Sequence, residues 1–357
     1  MRRTAALIIG GGPAGAATAI ALARGGAMPV LIERCPGDRD LVCGGFLGWD
    51  AIAALRRLGL DPAALGARAI HRLRLVSGRR TVEAALPQAA AGLSRRRLDA
   101  ALLLMAEEAG ASVLRGRAAR TLDDGRVRLD DGEEMAAEAL FLATGKHELR
   151  GGAREIGTRP VSVGLRTALA PSAALEAALA GTIELHLYDG GYAGLLLQED
   201  GAANLCLSVS RERMKAADGP EPLLAELAGE CPLLAERIHA SPPGAWEAVA
   251  GVPYGWRARD TMAGRYRVGD QAAVIASLAG DGIAVALASA AGAASACLQG
   301  VSAETYQSGF AHRARRPLAI AELLRGMAEH PIRRRLMIRL ARVPGVAKAA
   351  ARLTRIG

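Results

Sequence analysis

Ala5-Ala6-Leu7-Ile8-Ile9-Gly10-Gly11-Gly12-Pro13-Ala14-Gly15 is the stretch whose reading decides the fold. The run from Ala5 to Ile9 is apolar and short, the pattern of a strand buried on both faces. Gly10, Gly12 and Gly15 fit G-x-G-x-x-G, and Ala16 to Arg24 is Ala-rich and helical in pattern. Val30-Leu31-Ile32 is a second apolar run and ends at Glu33. Strand, glycine turn, helix, strand and acid, in that order, make the dinucleotide-binding βαβ unit. Gly10 permits the tight turn, Gly12 lets backbone approach a pyrophosphate, and Gly15 lets the helix pack close to the strands. The helix N-terminus offers unpaired N–H groups to phosphate. Glu33 stands eighteen residues past Gly15 (33 − 15), where a carboxylate can accept from ribose hydroxyls.

Composition narrows what surrounds this unit. The 357 residues suffice for one large or two intimate domains. Aromatics make up 3%, so the core must rest on Ala, Leu, Val and Ile. Arg2-Arg3 before an apolar run has the outline of a secretory leader, but three glycines and a proline would interrupt its apolar core. The longest apolar stretch, Ala272 to Leu298, contains Asp281 and is too rich in Gly, Ala and Ser to read as a membrane span. Five cysteines without C-x-x-C spacing and six histidines without ligand spacing give no disulfide framework and no metal site, and point to a cytoplasmic setting. The net charge of +9 sits in the tail: residues 311–357 hold twelve Lys and Arg against Glu322 and Glu329, while the remainder is near neutral.

After Glu33 and Arg34, the glycine-dense Cys43-Gly44-Gly45 suggests backbone running beside a ligand. Helices are expected over Asp50–Leu58 and over Arg95–Ala109, the second capped by Ser94. Ala139 to Ala143 is again a buried strand and runs into Thr144-Gly145. From about residue 157 short strands alternate with turns at Asp189-Gly190-Gly191 and Glu199-Asp200-Gly201, an antiparallel texture. Then Val268-Gly269-Asp270 ends a strand, and Gly280-Asp281-Gly282 opens an Ala-rich helix.

Three separated motifs, Gly10–Glu33, Ser94-Arg95 with Leu98-Asp99, and Gly269-Asp270 with Gly280-Asp281-Gly282, resemble those of the p-hydroxybenzoate hydroxylase-like flavoproteins, a superfamily that includes the geranylgeranyl reductases. The resemblance implies an α/β fold: a glutathione-reductase-like Rossmann FAD-binding domain, an antiparallel-sheet substrate domain and C-terminal helices. It would divide the chain into a discontinuous FAD-binding domain (1–68, 94–156 and 262–300), a substrate domain (69–93 and 157–261) and basic C-terminal helices (301–357). It implies FAD as the dinucleotide and NAD(P)H as a transient reductant. Gly10, Gly12, Pro13, Ala14, Gly15, Glu33 and Arg34 would serve the ADP half, and Arg95 the pyrophosphate. Cys43 and Gly44 would lie beside the flavin. Gly269 and Asp270 would take the ribityl chain, and Gly280, Asp281 and Gly282 the ring. Gly45, Tyr192, Leu195, Leu197 and Ser277 would line the substrate pocket.

The pattern departs from both named branches. Where hydroxylases carry proline, this chain reads Ile275-Ala276-Ser277-Leu278, and Tyr192 lacks the Trp, Phe and Pro that follow it in the reductases. Halogenase tryptophan motifs are missing, and no lysine is obviously placed for that chemistry. The leading expectation is a monooxygenase hydroxylating a lipophilic aromatic molecule. A reductase of isoprenoid double bonds and a flavin-binding protein without turnover stay open. No nucleic-acid motif accompanies the basic tail. Its apolar residues recur at three- and four-residue intervals, predicting amphipathic helices broken at Pro331 and Pro344. Two readings of residues 311–357 stand side by side: packing on the enzyme body, and peripheral contact with an anionic membrane.

Overall fold

The computed structural model describes residues 2–356. Its first half contains β1 (Arg2–Ile9), α1 (Pro13–Arg24), β2 (Val30–Glu33), β3 (Phe46–Leu47), α2 (Trp49–Arg57), β4 (Arg68–Ser77), β5 (Arg80–Gly92), α3 (Arg95–Glu108), β6 (Ser112–Arg115), β7 (Ala119–Asp123), β8 (Arg126–Leu129) and β9 (Glu134–Leu142), and these strands divide between two sheets. The first sheet runs β6-β2-β1-β9-β8-β7. β6, β2, β1 and β9 are parallel, and β7 and β8 form an antiparallel meander against β9. Period two sorts the side chains of β1: Ala6 and Ile8 join the core shared with α1 and α3, while Leu7 and Ile9 meet Leu122, Val127 and Leu129 of the meander. Both faces are covered, which is why the sequence run is continuously apolar.

The second half adds β10 (Ser162–Leu169), α4 (Ala173–Leu179), β11 (Gly181–Tyr188), β12 (Gly191–Leu197), β13 (Ala203–Ser210), α5 (Arg211–Ala217), α6 (Pro220–Glu230), α7 (Pro232–Ala240), β14 (Glu247–Val252), β15 (Arg265–Arg267), α8 (Gly282–Leu298), α9 (Ala303–Glu329), α10 (Pro331–Ala341) and α11 (Val346–Leu353). β15 returns to the first sheet beside β9. The others extend an eight-stranded second sheet, β14-β10-β13-β12-β11-β4-β5-β3, antiparallel except where β11 meets β4. One face of this sheet is packed with Leu175, Leu223, Leu227 and Leu234 from the short helices. α4 and α5 lie outside the sequence expectation; Ser172 and Ser210 cap them by accepting from Leu175 N and Arg213 N.

Two boundaries differ from the sequence reading. Phe46 and Leu47 pair with Gly92 and Ala91, so part of the segment 1–68 belongs to the second sheet. The tail is also less separate than its charge suggests. Tyr306, Phe310, Ala314 and Leu318 of α9 lie in the large core with α8, and α9 continues through Pro317. The expected interruptions fall at Pro331, which starts α10, and at Pro344, in the turn before α11.

Candidate active site

The glycine turn has the geometry its sequence requires. Gly10 has φ of +109°, and a Cβ there would lie 2.4 Å from the Ala143 carbonyl oxygen. A Cβ on Gly15 would lie 1.8 Å from the Gly10 carbonyl oxygen, so α1 packs on β1 as closely as it does only because both are glycine. At Gly12 the nearest atom to such a Cβ is the Arg95 guanidinium, at 3.1 Å. Arg95 is therefore the member of the Arg95-Arg96-Arg97 run that faces the phosphate loop. Asp99 fixes it with two bonds, Nε to Oδ1 at 2.9 Å and Nη2 to Oδ2 at 2.6 Å. Burial opposes the Arg95 charge, but Asp99 outweighs it and raises the pKa above the ordinary value. Glu33 accepts from Gly11 N at 2.6 Å and from Cys35 N at 2.8 Å, which holds its carboxylate against the loop. Arg34 lies beside it, 2.7 Å from the ring of His147.

On the opposite wall, Gly269 takes φ of +61° against Ala14, and Asp270 turns its carboxylate toward Lys146 at 3.4 Å. Burial opposes the Lys146 charge, while Asp270 raises its pKa above the ordinary value. Arg154, buried and paired with Glu148, donates to the carbonyls of Asp270 at 3.0 Å and Lys146 at 3.2 Å. It clamps the two turns from behind. Lys146, Arg154 and Tyr254 escaped the sequence reading. Lys146 had a signal, since it directly follows Ala143-Thr144-Gly145, and it is the lysine that the sequence did not reveal as near the site. The Asp281 carboxylate is fully buried and faces Arg355. Arg355 also bonds Asp50 at 3.2 Å and stacks 3.9 Å from the centre of the Trp49 ring. Asp281 therefore contributes a fixed loop to the site, and its side chain is committed to the tail.

Between these walls lies a cavity of ≈ 360 Å³. Gly12, Pro13, Ala14, Arg95, Gly269 and Asp270 line one end; Cys43, Gly44, Gly280 and Gly282 line the middle. Gly10, Gly15, Glu33 and Arg34 stand behind that lining. Gly45 also stands outside it: its left-handed turn presses toward Gln198. The far end is roofed by Tyr192, Gly194, Leu196 and Leu185 and closed by Met327, Met337 and Ala347 of the C-terminal helices. Leu195 and Leu197, expected in the pocket, point to the other face of the sheet and into its helical core. The strand alternates, so only Tyr192, Gly194 and Leu196 can look into the cavity. Ser277 stands 2.5 Å from the Tyr192 hydroxyl and 2.7 Å from that of Tyr254. Burial pushes the Tyr192 hydroxyl well above its ordinary pKa, with Tyr254 adding to the shift.

Residues 3–151 match the model of an FAD binding domain. That segment is an FAD-binding domain, and the chain is similar to FAD-dependent oxidoreductases. The menaquinone reductase of Mycobacterium tuberculosis is 30% identical over 229 residues, 57% of this chain and 55% of that protein. The menaquinone reductase of Mycolicibacterium smegmatis is 28% identical over 249 residues, 63% of this chain and 60% of that protein. The flavoprotein thus spans little more than half the length of these relatives. Among solved structures, a geranylgeranyl bacteriochlorophyll reductase-like protein from Thermoplasma acidophilum superimposes with a TM-score of 0.78 at 18% identity, covering 99% of this chain and 97% of that one. The halogenase PltM, solved with phloroglucinol and FAD, gives 0.71 at 16% identity, over 90% of this chain and 75% of that one. These two likenesses concern the fold, and the first extends it through the basic tail.

The cavity of the flavoprotein fits its cofactor. A Cβ on Gly44, Gly145 or Gly282 would meet no protein atom within 4 Å, although all three line the cavity. Their bareness leaves room for something other than protein. α8 begins at Gly282, and its first backbone N–H groups would be available to an anionic part of the cofactor.

Proposed function

We propose that this flavoprotein is a reductase that saturates an isoprenoid double bond of a lipid-like substrate, of the isoprenyl-quinone class. One observation carries the reading: beyond the Tyr192–Ser277–Tyr254 hydroxyls the cavity wall is apolar, with Leu73, Leu75, Ile183, Leu185, Met327 and Met337 around it. Such a wall suits a prenyl tail, and Arg355, the tail cation among its lining residues, is already paired with Asp281 and Asp50. The similarity to menaquinone reductases supports the same class. The sequence expectation of ring hydroxylation gives way in this proposal because Ser277, standing where hydroxylases carry proline, is tied to two tyrosines instead.

Bound FAD, once reduced, supplies hydride. The chain's own part is orientation and a proton. Arg95, Asp270 and the Gly280–Gly282 loop would hold the cofactor, and the roof would orient the double bond. Ser277 Oγ, between two phenolic hydroxyls, delivers the proton that completes saturation, and Tyr192 stays protonated at neutral pH to replace it. NAD(P)H, binding transiently, is the proposed reductant.

The test is anaerobic: dithionite-reduced holoprotein is mixed with detergent-dispersed menaquinone, and the product is weighed by mass spectrometry. A gain of two hydrogens that persists after the quinone ring is reoxidised in air is expected. Ser277→Ala should lower the rate by about a hundredfold with flavin content unchanged. A gain of one oxygen when the reduced protein is mixed in air, with the double bond intact, would replace this reading with hydroxylation. No product in either atmosphere would leave flavin binding without turnover.

A further inference from the structure

The C-terminal helices present two apolar faces, and the cavity uses only one of them. Met337 and Ala341 of α10 and Ala347 and Ala350 of α11 line the cavity. On the outside, Ile332, Leu336, Leu340, Val343, Val346 and Leu353 are exposed, Ile332 to 71%. Residues 332, 336 and 340 recur every four positions and form one stripe along α10. A cluster of this kind on a surface marks an interaction site.

Charge identifies the partner. Residues 330–357 contain eight Arg and Lys and no Asp or Glu. Arg334 is paired with Asp189, and Arg355 with Asp281 and Asp50. Arg333, Arg335, Arg339, Arg342, Lys348 and Arg352 are exposed and make no ion pair among the described residues. These six cations are interleaved with the six apolar side chains. Two of the latter, Leu340 and Val346, are exposed to 41% and 36% and also line the cavity. The patch and the cavity therefore share a rim.

From this we infer that α10 and α11 dock on the surface of an anionic lipid bilayer, and that the cavity opens into that surface between Leu340 and Val346. The stripe enters the acyl boundary while the arginines meet lipid phosphates. Among the described residues no helix is long and apolar enough to cross a membrane, so the contact is peripheral. The route would deliver a lipid tail to the roof without passing through water. This deepens the reductase reading and rests on it for the identity of the cargo; the docking itself does not need turnover.

The experiment uses full-length holoprotein with vesicles of phosphatidylcholine alone or mixed with phosphatidylglycerol. Sedimentation with the mixed vesicles and release by raised salt are expected. The triple variant Arg333→Gln, Arg335→Gln, Arg339→Gln should weaken partitioning by roughly a hundredfold, about fivefold for each charge. Ile332→Trp should fluoresce with a blue shift and be quenched by brominated lipid. All four positions are exposed, and unchanged flavin absorbance verifies folding. Equal binding to neutral vesicles, unchanged binding by the triple variant, or an unquenched tryptophan would overturn the inference. So would a concentration-dependent dimer by light scattering that binds no vesicle, since a second copy would then cover the patch. Turnover of detergent-dispersed substrate is measured separately, so failure of the reductase reading and failure of docking are told apart.

Discussion

Replacing Arg95 with methionine separates what this residue does for the fold from what it does for the flavin. The two side chains of the Arg95–Asp99 pair are 13% and 15% exposed and share two hydrogen bonds. Removing one partner of a buried pair costs about 3–5 kcal/mol, and the remaining solvent contact puts this case near the lower end, about 3 kcal/mol. Arg95 also lies over Gly12, where a pyrophosphate oxygen would accept from it. A hydrogen bond between charged groups contributes about 1.5–3 kcal/mol, so the flavin Kd should rise between roughly tenfold and roughly 150-fold. The double variant Arg95→Met, Asp99→Leu removes both charges and should recover most of the stability, because an apolar pair fills the same space. It should not recover affinity. Urea unfolding of the apoprotein measures the first quantity, and titration of apoprotein with FAD measures the second. An Arg95→Met protein that binds FAD within twofold of the parent, or a double variant that regains affinity along with stability, would refute the assignment.

Gly15→Ala should abolish flavin retention, because its Cβ would lie 1.8 Å from the Gly10 carbonyl oxygen and that contact is backbone on both sides; the purified protein should be colourless, with α1 displaced from β1. A third prediction concerns pH and lies behind the roof sheet. There Glu184, fully buried, bonds His186, Arg74 and Arg237, and His186 in turn stands 3.3 Å from Cys231. Burial works against the Glu184 charge, but hydrogen bonds from His186 and Arg237 outweigh it and hold the carboxyl at about 2, below its ordinary 4.5. Its contribution, about 3 kcal/mol, should be present above pH 4.5 and lost as pH falls toward 2. His186 is pulled down by burial yet raised overall by Cys231 and Glu184, so its share of the same interaction is full below pH 6.5 and fades above its folded pKa. Urea midpoints across pH should show both limbs, and Glu184→Gln should flatten the acid one.

The first thirty-four residues were legible without a structure because their physics is local. A strand, a turn that only glycine can make and a helix that must pack on that turn leave one arrangement, and the contacts of Gly10 and Gly15 supply the reason. The antiparallel texture after residue 157, the Ser94 cap and the helix after Gly280-Asp281-Gly282 were readable for the same reason. What the chain could not disclose depends on phase and on distance. Apolar residues fill both faces of β12, so nothing local says which face meets the helices; the second core claims Leu195 and Leu197 and leaves Tyr192, Gly194 and Leu196 to the cavity. Ser277, Tyr254 and Tyr192 are separated by up to 85 residues and meet only when the two sheets close on each other. The tail shows most plainly where local reading ends. Its helical period and charge were legible, but a period of 3.6 describes one helix and not its neighbours. Only packing decides that one face of α10 and α11 closes the cavity while the other stays bare, and that Arg355, one cation among many in sequence, reaches back 74 residues to the buried carboxylate of Asp281.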